Sequence, residues 1–234
     1  MKIFLIRTLT ISTLATIFFL ALLSVGMRPS ATPIAIIMKV VPEVTKKIGP
    51  ADWSKALASD QLQGGDQVRT AQKALAILKF MDKSIVRVRE QSLVTVTGDG
   101  SGQKFTKVVD LKSATVGFEI RKQTNEQFRF TSPTSVASIR GTKGKLTDRD
   151  NYDTLIVVEG LINLKNSVSS KDIDIPAGYI GFSGPDGSLS SRLATDAELA
   201  DASGAATGNG EKNLNLEMHD SKGNKKTLKI KIKQ

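Results

Sequence analysis

Few side chains in this sequence could carry chemistry. Its 234 residues include one histidine, His219, and no cysteine. Zero cysteines exclude disulfide scaffolds, thiolate-ligated zinc, iron–sulfur clusters, thiol nucleophiles and an acylated-cysteine membrane anchor. A single imidazole argues against a histidine-ligated metal centre or a Ser-His-Asp triad. His219 stands beside Asp220 in a polar segment, where a solvated ring is the ordinary reading. Glu159 has no second acid in view for the paired-carboxylate chemistry of glycoside hydrolysis. The loop Gly98-Asp99-Gly100-Ser101-Gly102 lacks the Gly-Lys-Ser/Thr and the following helix of a phosphate loop. These residue types imply no catalytic residue, no cofactor and no metal. They leave binding.

Four groups of residues are candidates for binding, and each has a structural alternative. Gly65-Asp66 with Arg69-Thr70 could form a partner surface, or a tight turn in which Asp66 caps backbone N–H groups and Gly65 supplies positive φ. Arg140-Gly141-Thr142 could present a guanidinium to a carboxylate or glycan, or satisfy loop carbonyls or a buried acid. Glu159-Gly160 reads as a strand-ending bulge before it reads as a site. Lys225, Lys226, Lys229, Lys231 and Lys233 could face anionic lipid or polymer phosphate, or simply water.

The elements that must position these residues follow from local pattern. Lys2 and Arg7 precede Thr8–Met27, twenty uncharged residues closed by Arg28. As a helix such a stretch spans about 30 Å, the thickness of a bilayer core. The basic flank places the N-terminus in the cytoplasm and the remainder outside. The length of the run and the absence of a clean A-x-A site favour an uncleaved anchor over a cleaved signal peptide within 1–28. Residues 29–43 read as a juxtamembrane linker, within which apolar Ile34–Val41 could extend a strand or an interfacial segment. From 44 to 182, short runs of β-branched or alternating residues are separated by Gly, Asp, Asn and Ser, the texture of an all-β domain. Examples are Ala74–Phe80, Ile85–Arg89 and Thr154–Glu159. In Ile85–Arg89 the alternation puts Val86 and Val88 inward and Arg87 and Arg89 outward. Residues 183–210 are rich in Gly, Ala, Ser and Asp. They read as a linker holding one short helix, Thr195–Ala202, opened by the capping box Thr195-x-x-Glu198. Residues 211–234 alternate Leu214, Leu216 and Met218, then Leu228, Ile230 and Ile232, across a turn at 221–224. This is an amphipathic β-hairpin that needs a surface for its apolar side.

The net charge of +10 sits largely at the ends: +3 within 1–35 and +4 within 211–234, leaving +3 for the body. Aromatic residues make up only 5%. Nucleic acid is therefore not an expected partner.

Ordered along the chain, several motifs resemble the FecR protein domain. They are Leu62-Gln63-Gly64-Gly65-Asp66-Gln67-Val68-Arg69-Thr70, the apolar strand Ala74–Phe80 with Ser84–Glu90, and the run from Phe130 to Thr142 ending in Arg140-Gly141-Thr142. Thr154–Asn163, Ile175-Pro176-Ala177-Gly178 and Trp53 complete the set. Gly144, where the family often has an aromatic, and Lys83, in place of a hairpin glycine, depart from the pattern. The resemblance implies an all-β envelope domain of successive hairpins, a β-sandwich or a twisted solenoid-like body. In the best-known members of that family, such a domain receives a signal from an outer-membrane siderophore receptor and passes it to a helical cytoplasmic anti-sigma segment. Only Met1–Arg7 precede the apolar run here, so direct sigma-factor control is not expected. The expectation is a membrane-anchored, extracytoplasmic, non-catalytic module that binds an envelope protein or a cell-wall or surface polymer. A transmembrane regulatory subunit is the alternative.

Overall fold

The computed structural model describes residues 33–99, 105–122, 127–208, 212–219 and 225–232, the last two stretches as backbone. The expected anchor Thr8–Met27 lies outside them. Among the described residues no helix is long and apolar enough to cross a membrane. The chain divides into two units, Met1–Thr32 and Pro33–Gln234, and the second holds everything below.

In chain order the strands begin with β1 Ala35–Val41, β2 Val44–Lys47, β3 Ser54–Lys55, β4 Gln61–Leu62, β5 Asp66–Thr70, β6 Leu75–Phe80 and β7 Ile85–Val88. They continue with β8 Ser92–Asp99, β9 Thr106–Lys112, β10 Thr115–Glu119, β11 Gln127–Thr131, β12 Ser135–Ile139 and β13 Lys143–Arg149. Then come β14 Tyr152–Glu159, β15 Leu161–Asn166, β16 Asp172–Pro176, β17 Tyr179–Ser183 and β18 Leu189–Leu193. Helix α1, Asp196–Thr207, precedes the terminal pair β19 Lys212–His219 and β20 Lys225–Ile232.

Eighteen of these strands form two nine-stranded sheets. The first runs β18-β17-β14-β13-β10-β7-β6-β1-β4, and the second β16-β15-β12-β11-β9-β8-β5-β2-β3. Apart from the two-residue β3 and β4, strand numbers rise steadily along both sheets. The chain thus advances along a two-layer sandwich while passing from one layer to the other. Pairing is antiparallel except between β9 and β11, which are parallel because β10 intervenes in the opposite layer. Of the expected β-sandwich or twisted solenoid-like body, the described residues show a predominantly β body of two large sheets with one helix.

Alternation explains the layers. Ala76, Leu78 and Phe80 of β6, Val94 and Val96 of β8, Val109 and Leu111 of β9, and Ile162 and Leu164 of β15 all point inward and are buried. Phenylalanines tie the layers together. Phe80 meets Phe128 edge to face at 4.9 Å, and Phe118 lies 5.0 Å from Phe130. Full burial of one such ring contributes about 1.5–3 kcal/mol, so this cluster anchors a domain that has no disulfide.

Three boundaries differ from the sequence reading. Residues 29–43, read as a linker, contain β1, which sits between β4 and β6 and buries Ala35 and Ile37. The β body also runs past 182 to β18. The segment read as a linker with a two-turn helix carries a twelve-residue helix docked on the first sheet. The capping box is present: Thr195 Oγ1 accepts from the Glu198 N–H at 3.3 Å, and the Glu198 carboxylate accepts from the Thr195 N–H at 2.8 Å. A bidentate bond from Arg192, and then the Thr195 donors, hold the Glu198 carboxyl down at about 2.

α1 packs through small residues. Buried Ala202, Ala205 and Ala206 lie against β10, β13, β14 and β7, beside a minor core of Ile156, Ile180 and Ala194. Gly117 makes this approach possible, because a Cβ there would overlap the Ala205 carbonyl. Arg87 does not face solvent as its alternation implied. The helix covers it to 8% exposure, and its guanidinium donates to the Ala206 carbonyl at the helix C-terminus, where a cation meets the negative end of the dipole.

Two outcomes follow for α1. Gly117→Ala should lower stability by roughly 1–3 kcal/mol through overpacking and expose the helix to limited proteolysis; an unchanged urea midpoint would show that the helix is not held at this contact. A carboxyl depressed in the folded state supports the fold above its unfolded value and loses that support as pH falls through the folded one. Helical circular dichroism should therefore resist acid until pH nears about 2, and Glu198→Gln should remove that pH dependence.

Candidate functional site

The sandwich has two long rims where the chain changes layer. At one rim lie the corners 42–43, 71–74, 89–91 and 113–114. At the other lie Arg140–Thr142, Gly160 and Ala177–Gly178. The sequence candidates divide between these rims rather than forming one cluster.

Most of them hold the backbone. Gly65 has φ +92°, and the buried Asp66 carboxylate accepts from the N–H of Gly49 at 2.9 Å and of Gln63 at 2.7 Å. Thr70 Oγ1 donates to the Arg89 carbonyl at 2.5 Å and accepts from the Ser92 N–H at 3.0 Å, joining two corners. Arg140-Gly141-Thr142 is the corner from β12 to β13, with Gly141 at φ +67° and Thr142 buried. Gly160, at φ +91°, is the corner from β14 to β15. A Cβ there would overlap the Thr142 methyl group, so these two motifs are adjoining corners that the sequence separates by seventeen residues or more. Glu159 is exposed and pairs with Lys143 at 3.0 Å, where the β13–β14 register shifts as the expected bulge.

The terminal hairpin pairs Leu214 with Ile230 and Leu216 with Leu228. Lys225, Lys229 and Lys231 share one alternation, whereas Lys226 pairs with Met218 and belongs to the other; this corrects the five-lysine face. The turn 221–224 and Lys233 lie outside the described residues. His219 ends β19 opposite Lys225.

One candidate projects outward. Arg69, exposed on the outer face of the second sheet, stacks over the Trp53 ring with its guanidinium carbon 4.3 Å from the ring centroid. Beside it opens a cleft of about 190 Å³ lined by Glu43, Thr45, Arg69, Thr70 and Ala71. The β2–β5 register places Thr45 directly opposite Arg69, and β2–β3 pairing brings Trp53 to the adjoining strand end. An indole face restrains the guanidinium while leaving its N–H edge available to a carboxylate. Sequence reasoning found Arg69 and Trp53 separately. It missed Glu43 and Thr45, because only pairing of β2 with β5 brings them there. Among the described residues no group of three or more His, Asp or Glu side chains could hold a metal.

Residues 66–163 match the family model described as FecR protein. That stretch is similar to the FecR domain. The FecR match opens at Asp66, the corner post of β5, and closes in β15, so the two sheets extend beyond it at both ends. Two crystal structures of a "putative anti-sigma factor" from Parabacteroides distasonis ATCC 8503, at 1.65 and 2.50 Å resolution, align with TM-score 0.47 and 8% identity. Each alignment covers 54% of this chain and 59% of that protein, less than two thirds of its length. No curated protein matches the chain.

Asp66 and Arg69 should behave oppositely on substitution. Asp66→Ala strands two N–H groups and should cost about 1–3 kcal/mol in chemical denaturation. Arg69→Ala should stay within about 0.5 kcal/mol of the parent. Equal losses would mean that Arg69 is also structural.

Proposed function

We propose that this FecR-domain protein is a non-catalytic binding module of the bacterial envelope, tethered by Thr8–Met27 with its β body outside the cytoplasm, and that the Trp53–Arg69 cleft is its contact for a partner protein. The observation that carries this reading is the stacked, exposed guanidinium beside an open cleft, whereas Asp66 and Thr70 of the same motif are bonded to backbone. Arg and Trp dominate protein-recognition hot spots because they bring large contact area and a directed charge. Glu43 and Thr45 add an acceptor and a hydroxyl, so the cleft suits a peptide segment presenting a carboxylate next to a donor. The FecR match supports a regulatory role, in which occupancy of the β body is reported through the anchor.

Photo-crosslinking in intact cells tests the site. A crosslinker at position 45 should capture a discrete partner that one at 163, at the far end of the second sheet, does not. Trp53→Ala and Arg69→Ala should each weaken capture by a hot-spot increment of about 2 kcal/mol or more, roughly thirtyfold. Equal capture from both positions, or capture indifferent to Arg69, rejects the cleft as the contact.

A further inference from the structure

Asp148 and Asp153 face each other as direct partners across the β13–β14 hairpin, at the same rim as the Arg69 cleft. Both are buried, at 2% and 1% exposure. Their surroundings differ. Asp153 Oδ2 accepts from Thr134 Oγ1 at 2.8 Å, from Ser135 Oγ at 2.6 Å and from Ser132 Oγ. Asp148 Oδ2 accepts one bond, from the Ser113 N–H at 2.8 Å. The second oxygen of each carboxyl, Oδ1 in both, is buried with no hydrogen-bond partner.

Two adjacent buried carboxylates, each with an unpaired oxygen, cannot both remain ionised at low cost. Among the described residues no ion pair to either carboxylate is present. The guanidinium of Arg149, next in the chain, donates to the carbonyls of Gln91 and Ser113. The elements packed around the pair bring uncharged residues: Ala114 from the corner before β10, Ser183 from β17, and the β11–β12 turn with its hydroxyls. The charged groups acting on Asp148 are Asp153, Arg149 and Asp150.

We propose that Asp148 and Asp153 form a proton-binding site, holding one proton between their carboxyls in the folded protein so that the β13–β14 hairpin responds to external pH. Asp153, with three hydroxyl donors, is the acceptor of the pair, and Asp148, with one donor, carries the proton. Burial pushes the Asp148 carboxyl above its ordinary range, with the Asp153 charge adding to the rise. A carboxyl raised in the folded state contributes stability at low pH. That contribution is lost as pH climbs through the folded value.

The test uses the full chain in detergent, melted from mildly acid to mildly alkaline pH, with infrared spectroscopy of the carboxyl stretch. The melting temperature of the parent should fall as pH rises, and a protonated-carboxyl band should persist above the range of free aspartate. Asp148→Asn should flatten the pH profile, retain acid-side stability under alkaline conditions and remove the band. A parent without such a band, or parallel melting profiles for parent and Asp148→Asn, would overturn the proposal. Should Asp148→Asn fail to fold, the band in the parent decides alone.

Discussion

A strand that leaves one sheet for the other carries its N–H and C=O groups to the mouth of a dry core, where neither ladder can satisfy them. In this sandwich the chain makes that passage repeatedly, and side-chain acceptors and donors at the rims make it possible. The Asp66 carboxylate gathers two N–H groups at the entry to β5. The Thr70 hydroxyl joins the corners before β6 and β8. The buried Asn166 amide donates to Ser183 Oγ and the Gly184 carbonyl, while its oxygen receives the N–H groups of Val168 and Ser169. Remove these posts and the aromatic cluster between the layers has no fixed separation to fill.

The same constraint separates function from structure. Of the motif residues that would look like a binding surface, Asp66 and Thr70 are corner posts bonded to backbone, and Gly141 and Gly160 turn the corners between layers. Arg69 differs because its strand position points it away from the core, onto an indole rather than a carbonyl. The two outer faces of the sandwich are also unlike each other. α1 lies on β7, β10, β13 and β14 of the first sheet and buries Arg87 beneath its C-terminus. The second sheet presents the cleft.

Much of this was legible residue by residue. Alternation found most strands of the body, since a half-buried strand must place apolar side chains at every second position. The capping box located the start of α1, because the N-terminal N–H groups need acceptors close in sequence. Other features were not legible. The apolar stretch Ile34–Val41 could locally be a strand or an interfacial segment, and only pairing decided that Ala35–Val41 lies between β4 and β6. The end of α1 contains Ser203 and Gly204 among small residues, which read as a linker until Gly117 gives them a surface to approach. Arg87 followed the correct alternation, but outward meant beneath a helix.

Composition and pattern by themselves determined that the body is predominantly β and that no thiol is present to do chemistry, because those properties depend on residue type and on near neighbours in the chain. Only the tertiary structure decided which layer each strand joined, that Gly141 and Gly160 meet at one corner, that Trp53 lies under Arg69, and that two aspartates five positions apart share a buried face. Each of these depends on contacts between strands whose partners are set by the order of crossings between layers. That order is fixed only when all the corners are satisfied together.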